Sequence, residues 1–420
     1  MYQKTVLDNG IRILTEKIPS AYSAALGFWV ENGARHESRA LNGASHFIEH
    51  LLFKGTRRRS ALDIAKEIDS VGGALNAFTS HELSCYFAKV AGDKLPLAID
   101  LLSDILCHSL FDLDEIEKER RVILQEIHMV EDSPDERIHE LFAQKFWPDH
   151  SLGRPILGTP QSVSSLDRST LLDFFAKQYS GKNLIISAAG DLDHQQVVDH
   201  VAKALGDLPS GSKTQVVPPI NLPLRQVNIL KKKLEQVHLC LGTAGLPQGH
   251  RLRYVGQILN AILGGSISSR LFQKLREERG MAYSVYSYLN AHLDCGTLIV
   301  HAGVSPDDAG HAIGVILREL NLFKNQIVSP DELQAAKDQL KGQFMLSMES
   351  TDNRMTRLAK NEVYLGKVLD PEEILINIDK VNAEDIQRLA KNLFQDKGLV
   401  LQMVGDLTND AFPLMDLTLG

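Results

Sequence analysis

Cysteine is scarce, with four in 420 residues, Cys85, Cys107, Cys240 and Cys295, and none has the paired spacing of a metal knuckle or a secreted disulfide framework. Free thiols in a reducing compartment follow, so a cytoplasmic location is expected. Basic residues do not exceed acidic ones, 45 against 53 for a formal charge of −8. That balance excludes the cationic surface with which a dedicated nucleic-acid binder neutralises phosphates. Long apolar runs are missing as well: no stretch approaches the ~18–20 residues needed to span a bilayer. The opening MYQKTVLDNGIRIL alternates like a strand where a secretory signal would show an apolar block. The chain therefore reads as soluble and unprocessed, with no membrane partner. Apolar content of 44% and charged content of 23% are ordinary globular values, and the length exceeds one core of ~100–200 residues. Two domains are expected.

Turn chemistry and periodicity organise what is there. Asn9-Gly10 between short apolar runs predicts a tight hairpin, Ala24 to Val30 a buried strand, and Ala74 to Val90, with Ser80-His81-Glu82 at its centre, a second hairpin. A helix is expected through His46 to Phe53, capped by Asn42 and stopped at Gly55, and a long one from Asp114 to Val130 with Asp114 as its cap. Proline, glycine and serine concentrate in LPSGSKTQVVPPINLP, which predicts a linker at 208–223 between domains at 1–207 and 224–420. Across it runs a weak repeat. Gly190-Asp191-Leu192 recurs as Gly405-Asp406-Leu407, and at almost the same offset the helix start Asp114-Glu115 recurs as Asp331-Glu332, as tandem copies of one α+β unit would give.

The chemistry concentrates in His46-Phe47-Ile48-Glu49-His50. On a helix, histidines four residues apart project from one face and can bind one cation, with Glu49 beside them to take a proton from a metal-activated water. The order His-x-x-Glu-His inverts the common zincin motif. Two surface histidines on an amphipathic helix would satisfy the same pattern. A third ligand should be a carboxylate on another rigid element, and the helix after Asp114 offers Glu119 and Glu126, two turns apart on one face. On composition alone those acids read as a solvated helix face. The repeat separates the readings: the offset from Asp114 to Asp331 puts Ala336 opposite Glu119 and Gln343 opposite Glu126, and the second half has no His-x-x-Glu-His. One metal site is expected in the first domain and none in the second.

The stretches NGIRILTEKIPSAYSAALGFWVENGARHES, GASHFIEHLLFKGT, GALNAFTSHELSCYF, ERRVILQEI, HSLGRPILGT and ILGGSISSRLFQKLREERGMAYSV closely resemble the pitrilysin/insulinase family of metallopeptidases, in particular its short branch that includes mitochondrial processing peptidase and bacterial processing proteases. The resemblance implies an α+β fold of two tandem similar domains, each a sheet covered on one face by helices. It also implies one Zn2+ per chain. His46, His50 and Glu126 match the family's zinc ligands, Glu49 its general base and Glu119 its supporting acid. Asn76 and Ala77 match edge-strand positions that hold a substrate backbone, and Arg276 and Tyr283 a pair that grips substrate and steadies the oxyanion. In the family a reaction chamber is a clamshell of two halves of this chain's size, which implies a homodimer acting on unstructured peptides or precursor tails. A non-catalytic assembly or chaperone-like subunit is the rival reading. Two departures, Gly264-Gly265-Ser266-Ile267 and His81, touch peptide preference and not the metal. The basic runs Arg57-Arg58-Arg59 and Lys231-Lys232-Lys233 are expected as solvated loops or strand edges, and His36, His108, His128 and His139 as ordinary histidines.

Overall fold

The computed structural model describes residues 2–219, 223–408 and 411–419, so residues 220–222 of the expected linker lie outside the described residues. The chain forms β1 (Tyr2–Val6), β2 (Arg12–Lys17), β3 (Ser23–Val30), α1 (Ala44–Leu52), α2 (Ala61–Ser70), β4 (Ala74–Thr79), β5 (Ser84–Ala91), α3 (Leu95–His108) and α4 (Leu113–Asp132). There follow α5 (Pro134–Phe146), α6 (Pro160–Ser165), α7 (Arg168–Gln178), β6 (Leu184–Gly190), α8 (His194–Leu205), β7 (Gln226–Lys231), β8 (Val237–Ala244) and α9 (Arg253–Leu263). The remainder is β9 (Ala282–Ala291), β10 (Gly296–Val304), α10 (Ala309–Asn325), α11 (Pro330–Ser347), α12 (Thr351–Leu365), α13 (Pro371–Asp379), α14 (Ala383–Leu393) and β11 (Val400–Gly405).

Both expected hairpins form. β1 and β2 pair antiparallel across Asn9-Gly10, and β4 and β5 across the turn at residues 80–83. The two expected helix caps are corrected. The N-cap of α1 is Gly43, at φ +95° where a side chain would be strained, while Asn42 donates to Glu37 Oε2 and Pro155 O. At the head of α4, Asp112 rather than Asp114 accepts from the first backbone amides, those of Asp114 and Glu115 at 2.9 and 3.2 Å.

The chain divides into two compact units, each using segments from both halves of the sequence. One comprises Met1–Met129, Arg154–Val217 and Met345–Val368, the other Val130–Gly153, Pro218–Phe344 and Leu369–Gly420. Limits of 1–207 and 224–420 therefore leave α5 and α12 each on the wrong side. The first unit's sheet has the order β1-β2-β6-β3-β5-β4 and the second's β7-β11-β8-β10-β9. From β2 and from β7 the two orders are the same, each with one parallel pair, β2 with β6 and β7 with β11. The recurring Gly-Asp-Leu thus marks equivalent strand ends.

Alternation along β3 shows how the sheet is buried twice over. Ala24, Leu26, Phe28 and Val30 enter the larger core with the helices of one face, while Ala25 and Trp29 pack against Met355, Leu358 and Ala359 of α12 on the other. In the second unit α5 does the same, placing Ile138, Phe142 and Phe146 against Cys240 and Ile299. Helices on one face were expected. The opposite face of each sheet also carries a helix. Gly27 and Gly242, which share the offset of Gly190 and Gly405, allow it: a Cβ at Gly27 would stand 2.5 Å from Met355 Sδ, and one at Gly242 2.4 Å from Phe142 Cζ.

In the run Arg57-Arg58-Arg59 the first two residues are exposed as expected, but Arg58 and Arg59 also form a clamp. Arg58 and Arg59 bond Asp100 and Asp104, Arg59 also reaches Glu67, and the Asp104 side chain is fully buried.

Candidate metal centre

The local pattern of α1 fixes which way its polar residues face. Phe47, Ile48, Leu51 and Leu52 are buried, so His46, Glu49 and His50 share the remaining stripe. Its first amides are held from outside the helix, because buried Glu37 accepts from Gly43 N at 2.8 Å and Ser45 N at 2.7 Å. A carboxylate at a helix N-terminus satisfies orphan donors and complements the dipole. On α4, Ile116, Ile123 and Ile127 are buried, and Glu119 and Glu126 lie along the same side of the helix.

The two helices bring three donors together. The His46 and His50 rings are 4.7 Å apart between centroids. Glu126 Oε2 lies 3.8 Å from His46 Nε2 and 3.6 Å from His50 Nε2, and one ligand atom from each residue falls within 4.8 Å of the others. Glu126 Oε2 is buried without a hydrogen-bond partner, as befits an acceptor waiting for a cation. Two ligands ~2.1 Å from one tetrahedral ion stand about 3.4 Å apart, so zinc needs the Glu126 carboxylate to close on each imidazole by only a few tenths of an ångström. Two imidazoles and one carboxylate also leave a tetrahedral ion one open position. The residues fit the group.

Neighbours set the chemistry of these donors. Glu119 Oε2 takes a 2.9 Å bond with His50 Nδ1, and its Oε1 pairs with Lys54 Nζ at 2.7 Å. Burial pushes the Glu119 carboxyl up, but the bonds from Lys54 and His50 outweigh it and hold it below the usual range. An ionised Glu119 fixes His50 with Nε2 free for a metal. Burial, with the neighbouring His50, lowers His46 to about 3, so its ring is neutral and ready to ligate. Burial raises Glu49 against the opposing bond from Thr79, whose hydroxyl donates to Glu49 Oε2 at 2.5 Å. Thr79, Lys54 and Glu37 were not picked out from sequence. No spacing signals them, because each acts across a contact between separate elements.

The remaining expected residues fall in two places. Asn76 and Ala77 lie on β4, at the open edge of the first sheet, where the Asn76 carboxamide accepts from Ala77 N at 2.8 Å. In the second unit the Arg276 guanidinium lies 5.4 Å from the centre of the exposed Tyr283 ring, so that pair does meet. Among the described residues no helix is long and apolar enough to cross a membrane.

Comparison with known proteins agrees with this geometry. Residues 12–160 match the insulinase family, peptidase family M16, and residues 165–340 match the peptidase M16 inactive domain. A Bacillus subtilis protein named an uncharacterized zinc protease is 40% identical over 402 residues, covering 96% of this chain and 98% of that one. A Streptomyces coelicolor protein of the same description is 40% identical over 398 residues, 93% of this chain and 87% of that one. A solved Helicobacter pylori protease superposes with a TM-score of 0.88 at 20% identity, over 96% of this chain and 99% of that one. A chain of complex III2 from Candida albicans gives 0.85 at 21%, over 99% of each. The last two likenesses speak for the fold, and the first two, with the matched domains, for descent: the chain belongs to the insulinase family of peptidases, family M16.

Proposed function

We propose that this protein is a zinc-dependent endopeptidase that hydrolyses unstructured peptides or precursor segments within a chamber completed by a second copy of the chain. The observation that carries the reading is the convergence of His46, His50 and Glu126 on one point, with Glu49 on the same helix face. Zinc held there supplies Lewis acidity, polarising a peptide carbonyl and acidifying an adjacent water toward neutrality. Glu49, its carboxylate oriented by the Thr79 hydroxyl, accepts the water's proton and returns it to the leaving amine. Glu119 keeps His50 in the ligating tautomer. The free edge of β4 at Asn76 and Ala77 takes an extended substrate backbone as an added strand, which gives affinity with little sequence choice. In the homodimer, Arg276 and Tyr283 of one protomer orient substrate and stabilise the oxyanion at the partner's metal.

The relatives' zinc-protease names support the reaction class. Quenched extended peptides test it: cleavage is lost on chelation and restored by Zn2+, whereas a non-catalytic subunit cleaves nothing in either state. Persistent cleavage by a metal-loaded Glu49→Gln protein would refute the role of Glu49. Mixing Glu49→Gln with Tyr283→Phe protomers tests the shared chamber, since partial recovery is expected and none at all counts against it.

A further inference from the structure

The second compact unit gathers ligand-type side chains that peptide hydrolysis does not use. On the face of its sheet covered by α5, His238 stands two residues from Cys240 on β8, and His301 two residues from Ile299 on β10, both core positions of that face. Asp135, in the first turn of α5, brings Oδ1 to 3.5 Å from His238 Nδ1 and 3.3 Å from His301 Nε2. One donor atom from each of the three lies within 4.8 Å of the others. His301 is 0% exposed, yet neither of its ring nitrogens has a hydrogen-bond partner, and His238 Nδ1 is buried unpartnered too. Each neutral ring has one acceptor nitrogen, and leaving both rings without partners in one buried spot is a penalty a fold avoids unless a ligand takes a lone pair from each.

We propose that Asp135, His238 and His301 form a second metal site, which takes a borderline divalent cation of the zinc class and ties α5 to β8 and β10. Two imidazoles and one carboxylate are zinc's donor set, whereas calcium and magnesium prefer oxygen alone. The separations of 3.3 and 3.5 Å match the ~3.4 Å between ligands of a tetrahedral ion. Asp135 is 61% exposed, which gives the ion an entry and a water at its fourth position. Behind the ligands, His139 lies one turn beyond Asp135 on α5, its ring 5.2 Å from that of His301, pinned by the Tyr288 and Tyr286 hydroxyls at 2.7 and 3.0 Å. The site is no worn copy of the first. The repeat places the counterparts of α1 and α4 at α9 and α11, whose buried residues belong to the core on the other face of the sheet.

Metal counting on the full, tag-free chain decides the matter. After chelation and readdition, wild type is expected to hold about two Zn2+ per chain, a His46→Gln/His50→Gln protein about one, and its Tm to rise with added Zn2+. Introducing Asp135→Asn into that protein removes an exposed ligand without disturbing the core, and should weaken the remaining site by about tenfold or more. His301→Gln in the same background should abolish it. The proposal is overturned if the His46→Gln/His50→Gln protein binds no Zn2+ while folded by circular dichroism. It is equally overturned if the bound Zn2+ is indifferent to Asp135→Asn. Loss of peptidase activity in the same proteins reports on the first site alone, so the two readings fail separately.

Discussion

Replacing Glu119 by Gln tests the outer layer of the candidate metal centre with little change of shape. Glu119 is 7% exposed and makes two charge-assisted contacts, 2.9 Å to His50 and 2.7 Å to Lys54. Gln keeps the volume but loses the charge, and its amide cannot accept from both partners as the carboxylate does. His50 then loses the group that fixes its tautomer and ring orientation. Outer-layer losses of this kind weaken metal binding by about 10–100-fold, or roughly 1.4–2.7 kcal/mol. Lys54 is one-third exposed, so water takes over its share and the effect belongs in the lower part of that span. Competition with a chromophoric chelator at neutral pH measures it directly, and apoprotein Tm separates loss of affinity from loss of fold. An affinity within about twofold of wild type would refute the reasoning, provided that Glu126→Gln, which removes a ligand, weakens binding by well over a hundredfold in the same assay.

Glu49→Gln should lower peptide cleavage by about two to four orders of magnitude while Zn2+ affinity stays within a few-fold, read by kcat and by chelator competition. Leu358→Ala on α12 should cost about 2–5 kcal/mol in denaturant unfolding of the whole chain, because this fully buried side chain packs against a sheet whose strands all come from the first half of the sequence. Asp104→Ala should cost about 3 kcal/mol at neutral pH, the low end for breaking a buried pair, since Arg58 is half exposed. Burial raises the Asp104 carboxyl, but bonds from Thr56, Arg59 and Arg58 prevail and hold it below its ordinary value of 3.8. Its contribution is therefore present in full above that value and is lost as pH falls through the lower folded one. The deficit of the Asp104→Ala protein should shrink in acid, and a deficit constant with pH would contradict the clamp.

Local signals carried most of what the sequence showed. The His46, Glu49 and His50 stripe was legible because helical periodicity needs only neighbours, and both hairpins because turn residues sit beside the strands they join. Glu126 was legible only through the repeat and the family resemblance, since a hairpin and two helices separate it from α1 and no period bridges that gap. The caps misled because a helix end recruits whatever acceptor the fold brings near: Glu37 reaches α1 from before the helix, and Asp112 lies two residues ahead of the expected cap. The basic run at Arg57 hid its role because its carboxylates lie on other helices. The placement of α5 and α12 was not legible at all. An amphipathic helix declares that it has a buried face and not which sheet it covers, and the glycines that receive Met355 and Phe142 look in sequence like any other strand glycine. His238 and His301 likewise meet only through strand register.

The helix laid on the first sheet also constrains synthesis. While a ribosome is still translating the second half, Leu14, Ala25, Trp29 and Ile185 have no cover on that side, for Met355 and Leu358 have yet to be made. A nascent chain must carry this bare apolar surface until its last quarter emerges, which makes the emerging half a client for chaperones and a hazard for aggregation. Severing the gene near codon 208 would leave the same surface open permanently. The two halves are expected to become soluble only when produced together.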